Sequence, residues 1–98
     1  MAQAKVQYFN FGWVGSSFYP GVEHQWAWGP LSSTEVWQVV AVPVKGAPWP
    51  YELMVKDMRV NSAPGTSGVT LLFTIRNVGV SPNAVPGYGI KISVVSAS

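Results

Sequence analysis

The stretch that decides the fold is Gly68-Val-Thr-Leu-Leu-Phe-Thr-Ile-Arg-Asn77, then Val78-Gly-Val-Ser-Pro-Asn-Ala-Val-Pro-Gly87, then Tyr88-Gly-Ile-Lys-Ile-Ser-Val-Val-Ser96. Apolar residues alternate along the first and third runs, and the run between them is rich in Gly, Pro and Asn. Because successive side chains of a strand point to opposite faces of a sheet, both outer runs are predicted to be strands. We expect the two strands to be antiparallel neighbours that pack one apolar face on a core.

Four further strand candidates precede this stretch, and each is followed by a turn or loop rich in Gly, Pro or Ser. No segment has the apolar spacing of a helix. The sequence therefore predicts one all-β domain over residues 1–98, an antiparallel β-sandwich of six to seven strands, with a small closed barrel as the alternative. The four candidates are residues 4–14, 22–28, 35–44 and 51–61.

Several details of strand placement follow from the local pattern. The third candidate is apolar on both faces, which is typical of a central strand, and Pro43 should end its pairing. The apolar phase changes within the first and fourth candidates, which indicates a bulge or burial on both faces. Residues 15–21 are predicted to be a loop with a Pro20-Gly21 turn, short enough for the first two strands to pair.

The composition favours self-association. Hydrophobic residues make up 48% of the 98 residues but charged residues only 10%, against about 25% in typical domains. With no Cys, a chain this short has no disulfide to stabilise it, so good packing or a partner subunit is expected to do so. We therefore expect a homo-oligomer; the alternative is a monomer whose surface is Ser, Thr, Gln and Asn.

The distribution of charge argues against nucleic acid as a partner. The formal net charge is +2, and the six basic residues are scattered without forming a run, whereas nucleic-acid-binding proteins show a basic patch or stripe. The N-terminus has no signal-peptide core and no apolar run is long enough to span a membrane. The expected location is the cytoplasm at synthesis, and any release from the cell would be non-classical.

The catalytic and metal-ligating residue types are too few to form a recognisable site. His24 is the only His, and the acids are Glu23, Glu35, Glu52 and Asp57. No nucleophile elbow, phosphate loop or calcium loop is present, and His24 with one carboxylate would leave a metal underligated. We expect no enzyme activity, no catalytic residues, no metal and no cofactor.

Aromatic residues are the informative class, with five Trp, four Tyr and four Phe. Alternation places His24, Trp26 and Trp28 on one strand face, and pairing of the first two strands would add Trp13. The loop aromatics Phe18, Tyr19, Trp49 and Tyr51 form a second candidate patch. The alternative is that these rings belong to the core, as is expected above all for Trp37 in the most apolar strand. The predicted ligand-binding residues are His24, Trp26, Trp28, Trp49, Tyr51 and Trp13. Hydrogen bonds at the rim of the binding surface are expected from Gln25, Gln38, Glu23, Ser16, Ser17 and Asn10.

These observations lead to a non-catalytic binding module as the expected function. The small, Trp-rich, cysteine-free β-protein without a signal peptide resembles many microbial lectins in general character, which implies carbohydrate recognition through surface aromatics, with multivalency from oligomerisation. The alternative is a self-assembling structural protein whose aromatic patches are subunit interfaces. A third class is peripheral contact with membrane surfaces through exposed Trp and Tyr.

Overall fold

The computed structural model of the protein describes residues 4–31, 36–44, 50–62, 68–80 and 82–97, and these ranges contain six strands and no helix. The strands form two three-stranded antiparallel sheets: sheet I, with the order β1-β6-β3, and sheet II, with the order β2-β5-β4. The two sheets pack together as a sandwich and do not close into one barrel, which confirms the predicted fold. The strands are β1 (Ala4–Phe18), β2 (Glu23–Leu31), β3 (Val36–Pro43), β4 (Leu53–Ser62), β5 (Val69–Asn77) and β6 (Val85–Ala97).

The two C-terminal strands organise the whole sandwich. Strand β5 is the centre of sheet II and β6 is the centre of sheet I. The expectation that they are paired neighbours is therefore wrong: they pair with four other strands and face each other across the core. The connection between β5 and β6 therefore runs from one sheet to the other, which is consistent with its length exceeding that of the commonest hairpins.

The core lies where the inner faces of β5 and β6 meet. Leu71, Phe73 and Ile75 from β5 are at most 2% exposed, as are Ile90 and Ile92 from β6. These are the residues whose alternation predicted the strands, so the inner faces of both strands were correctly assigned. Five further buried residues complete this cluster: Phe18, Val39, Val85, Tyr88 and Val94.

Two predicted strand positions are wrong. Strand β3 lies at an edge of sheet I, since among the described residues it pairs only with β6. Strands β1 and β2 do not pair, because β1 pairs with β6 in sheet I and β2 with β5 in sheet II. The expectation for Pro43 is confirmed, since β3 ends at that residue.

The bulge predicted in the fourth strand is present, but neither a bulge nor burial on both faces occurs at the phase change between Tyr8 and Phe9 in the first strand, where Tyr8 is 75% exposed. The register of β4 against β5 shifts between Lys56 and Arg59, where Asp57 has a φ of 53°. In β1 the register is continuous from Ala4 to Val14 and shifts only between Val14 and Phe18. The predicted loop 15–21 is therefore partly wrong, because β1 extends to the fully buried Phe18.

The turn between β1 and β2 is held to the end of β5. Gly21 has a φ of 89°, a left-handed conformation that suits glycine, and Val22 N–H donates to Tyr19 O at 3.0 Å. The link to β5 is made by buried Asn77, the last residue of that strand, because its Nδ2 donates to Phe18 O at 2.9 Å. Because this turn crosses between sheets, it confirms Pro20-Gly21 as a turn pair but not as a hairpin.

Candidate functional site

The outer faces of the two sheets differ in charge. On sheet II, Glu23 is within 2.6 Å of Lys56 Nζ and 3.0 Å of Arg76 Nη1. Hydrogen bonds from these two cations lower the pKa of Glu23, and the bond to Glu23 raises the pKa of Lys56. This face of sheet II carries mutually satisfied ion pairs in solvent, which is an ordinary solvated surface.

The outer face of sheet I instead forms a groove, which we call the outer groove. Register places Tyr8, Ser93 and Gln38 in one row across the three strands, and Asn10, Lys91 and Val40 in the next. The groove encloses about 420 Å³, and among the described residues Lys91 is the only charged one in its lining. Tyr8 stands at one side of it with 75% of its surface exposed, and Val40 at the other side is 46% exposed.

The outer groove combines an aromatic ring with several hydrogen-bonding groups. The amides of Asn10 and Gln38 each supply donors and an acceptor, Ser93 supplies a hydroxyl, and Lys91 supplies an ammonium. A ring face beside such groups suits a ligand that has an apolar side and a hydroxylated edge. Because the groups come from three strands of one sheet, their spacing is set by regular backbone geometry and not by a loop.

A second arrangement, the aromatic cluster, lies between the sheets around Tyr88 and comprises Trp13, Phe18, His24, Trp26 and Tyr88. Tyr88 is 2% exposed, and its ring lies 5.2 Å from that of Trp13. The Tyr88 hydroxyl accepts a hydrogen bond from Trp26 Nε1 at 2.9 Å and lies 2.7 Å from His24 Nδ1. The cluster ties sheet I to sheet II at one end of the sandwich.

Hydrogen bonding and burial control protonation in the aromatic cluster. The Tyr88 oxygen accepts from Trp26, and its O–H can donate to His24 Nδ1 when neutral His24 carries its proton on Nε2. Burial lowers the pKa of His24 and raises the pKa of Tyr88. Both groups are therefore kept in their neutral forms, which indicates a structural role in the sandwich.

Trp28 belongs to a third arrangement at the open side of the sandwich between β1 and β2. Its ring lies 5.2 Å from Phe9 and 4.6 Å from Phe11. A cleft of about 300 Å³ opens there, lined by Phe11, Trp26 and Trp28 over the core residues Phe73, Ile90 and Ile92. The buried Trp28 Nε1 has no hydrogen-bond acceptor within the described part of the chain.

The structure divides the predicted ligand-binding residues among these places. Trp13, His24 and Trp26 meet in the aromatic cluster, across the sandwich and not through strand pairing. Trp28 lines the cleft, Tyr51 packs against the core, and Trp49 lies outside the described residues. Trp37 also packs against the core, although its Nε1 has no acceptor among the described residues.

Sequence reasoning missed Tyr8 and Lys91 as site residues, although it named Asn10 and Gln38 as hydrogen-bonding candidates. The signal was present in the alternation, because Tyr8 falls on the face opposite Phe9, Phe11 and Trp13. That face could be identified as a groove only after β6 was known to lie between β1 and β3.

Comparison with known proteins gives no family or function: no protein-family model, curated protein or solved structure matches the chain. Within the described ranges, no helix is long and apolar enough to cross a membrane. The same residues contain no group of three or more His, Cys, Asp or Glu side chains placed to hold a metal ion.

Proposed function

We propose that this protein is a non-catalytic carbohydrate-binding module whose site is the outer groove of sheet I. The observation that carries the proposal is the exposed Tyr8 ring beside the polar groups of Asn10, Gln38, Lys91 and Ser93. A sugar ring has an apolar face that stacks on an aromatic ring and hydroxyls that bond to amides and ammonium groups. The ligand class is therefore a neutral or acidic sugar, the latter paired with Lys91.

The properties of the two outer faces support this choice of surface. Lys56 and Arg76 of sheet II already bond to Glu23, so ligand binding there would compete with existing ion pairs. Ligand sites are concave, with apolar area and a few placed polar groups, and the outer groove has these features. The interior rings suit sugar stacking less well, because the N–H of Trp26 is already bonded to Tyr88.

The test is a glycan array probed with labelled protein, followed by titration of each sugar that binds. Tyr8→Ala should abolish binding, because it removes the stacking ring from an exposed position without disturbing the core. Tyr19→Ala is the matched control, since Tyr19 is 51% exposed in the β1–β2 turn, away from the groove. The control should bind like the unchanged protein.

Two results would overturn the proposal. A blank array with folded protein would remove carbohydrate as the ligand class. Undiminished binding by the Tyr8→Ala variant would remove the outer groove as the site. In the second case Phe11→Ala, at the mouth of the cleft, tests whether the cleft between β1 and β2 holds the sugar.

Self-assembly is the second candidate function, and a specific observation favours it. On the outer face of sheet I, Val40, Val42 and Val44 are 46%, 42% and 42% exposed along one strand and its end. Subunit interfaces exclude charge from their centres, and 10% charged residues leaves much uncharged surface in this chain. Light scattering over a range of concentrations tests this function, and a monomer mass throughout would contradict it.

A further inference from the structure

Strand β3 forms one of the two edges of sheet I, β1 being the other, and the hydrogen-bonding groups of the β3 edge can be assigned. Val44 N–H donates to Gly87 O, so the pair Val44 and Gly87 is hydrogen-bonded. In an antiparallel ladder such pairs alternate, so Val42, Val40 and Gln38 also direct their backbone groups to β6. Trp37, Val39, Ala41 and Pro43 therefore direct theirs to the open edge. Pro43 has no N–H, but because its backbone nitrogen points away from β6, no hydrogen bond to β6 is lost there.

Two of the features that normally keep edge strands from pairing with another chain, charged side chains and a bulge, are missing from β3, and the third, a proline, stands only at its end. Strand β3 contains no charged residue, and its register with β6 is continuous from Val36 to Pro43. The β4 edge of sheet II has both kinds of protection: Lys56, Asp57 and Arg59 are charged, and a bulge interrupts the ladder. Charges and bulges are the devices that block edge-to-edge association.

The composition of β3 also suits the interior of a sheet better than an edge. Trp37, Val39 and Ala41 pack on the core, whereas Val40 and Val42 are exposed on the other face. A strand that is apolar on both faces is typical of a position between two other strands. Among the described residues β3 pairs with a strand on one side only, although it also contacts β4 of sheet II.

We propose that a second copy of this chain occupies the β3 edge, so that two sheets I join into one six-stranded sheet. Centring the antiparallel pair on Val39 places Val39 against the partner's Val39 and Trp37 against the partner's Ala41. A large side chain then faces a small one, and Pro43 is left outside the ladder. About six backbone hydrogen bonds form, two for each such pair. The two-fold symmetry makes the contact self-complementary and closed.

The dimer places two outer grooves on the same side of one continuous sheet. A two-fold axis perpendicular to the sheet keeps both outer faces pointing in one direction. The two β6 strands, which form the floors of the grooves, lie three strand spacings apart, about 14 Å. Because the two grooves are so near each other, they can bind neighbouring sugars of one surface at the same time, which raises avidity without new contacts.

This inference rests on self-assembly, the second candidate function, and does not require sugar binding. The first measurement is hydrogen exchange of the unchanged protein at low and high concentration. The amides of Trp37, Val39 and Ala41 should exchange about tenfold more slowly at high concentration, because pairing protects them. The amides of β4 should not change.

The second measurement is the oligomeric state of variants that carry a charge at the edge, determined by sedimentation velocity. Val42→Lys places an ammonium beside the edge on a residue that is 42% exposed, and it should shift the protein to monomer. Met54→Lys is the matched control, because Met54 is 41% exposed on the β4 edge, and it should leave the assembly unchanged. Ala41→Pro, which removes an edge-facing N–H without removing a bond to β6, should also give monomer.

The possible outcomes distinguish a failure of the β3 contact from a failure of self-assembly as a whole. A monomer at every concentration, with no change in exchange, would overturn both self-assembly and the β3 contact. An assembly that survives Val42→Lys and Ala41→Pro, with β3 amides exchanging freely, would overturn the β3 contact and leave self-assembly standing. If either variant does not fold, the exchange measurement on the unchanged protein decides alone.

Discussion

The two faces of sheet I are formed by the same three strands but differ in almost every physical property. On the inner face, Tyr88, Ile90 and Ile92 of β6 are at most 2% exposed. On the outer face, Lys91 between them is exposed, and Tyr8 on β1 is 75% exposed. This difference indicates that one strand can contribute to stability through one set of alternate residues and to ligand binding through the other. The effect of a substitution should therefore depend on which face it alters.

The largest effect is expected for Ile92→Ala on the inner face. Ile92 is 1% exposed between Phe9 and Val39 in the register of sheet I. Removing its side chain loses buried apolar contact and leaves a cavity, with a cost of about 2–5 kcal/mol in the free energy of unfolding. Urea denaturation measures this, with Lys91→Ala as the outer-face control. Equal costs for the two variants would remove the distinction between the faces.

A smaller effect is expected for Tyr88→Phe, which keeps the buried ring and removes only its hydroxyl. Trp26 Nε1 loses its acceptor and His24 Nδ1 loses its neighbour. Because an unsatisfied polar group in a protein interior costs about 1–3 kcal/mol, the free energy of unfolding should fall by this order. Thermal denaturation compares it with Tyr8→Phe, which removes an exposed hydroxyl. A Tyr88 variant as stable as the Tyr8 variant would mean that the hydrogen bonds contribute nothing.

The pH dependence of stability should depend on His24. Burial lowers its pKa below the ordinary 6.5, so the unfolded chain takes up a proton before the folded protein does. The contribution of neutral His24 is therefore complete above pH 6.5 and is lost as the pH falls from there through the folded-state pKa. Glu23, whose pKa lies below its ordinary 4.5, contributes to acid sensitivity only at lower pH.

Unfolding measured in steps from pH 7.5 to 5 tests this prediction. The unchanged protein should lose stability over the lower part of that range. His24→Asn, which has no proton to gain there, should give a flatter profile. An equally steep profile in the variant would show that His24 is not the titrating group.

The smallest effect on stability is expected for Tyr8→Ala on the outer face. Because three-quarters of Tyr8 is exposed, the free energy of unfolding should change by no more than about 0.5 kcal/mol. The same variant is expected to lose sugar binding, so stability and binding should separate at this position. Chemical denaturation in parallel with the binding titration shows whether they do. Destabilisation as large as that of Ile92→Ala would place Tyr8 in the packed structure.

The sequence predicts the strands of this protein and their buried faces, but it does not predict how the strands are arranged. The alternation of Val69 to Ile75 and of Ile90 to Val94 correctly assigned the buried faces of β5 and β6, because the period of two is a property of the strand itself. The same local pattern placed His24, Trp26 and Trp28 on one face. It could not assign β5 and β6 to different sheets, since pairing is decided by distant segments competing for the same edges.

The candidate site shows the same division between local and tertiary information. Asn10 and Gln38 were recognised as hydrogen-bonding groups, but nothing local indicates that they flank Lys91 on one surface. That proximity arises because β6 lies between β1 and β3. The aromatic residues were recognised as important, and only the tertiary structure shows that Trp13, His24 and Trp26 pack around Tyr88 between the sheets.

Side-chain periodicity and turn residues were enough to predict an all-β chain, most of its strand boundaries and the inner face of each C-terminal strand. The folded arrangement was needed to establish which strands pair, that β3 lies at an edge, and that the outer groove forms across sheet I. These features depend on contacts between residues far apart in the chain, whose free energies are realised only when both sheets have formed. The apolar pattern of β3 is typical of a central strand, but among the described residues β3 pairs with a strand on one side only.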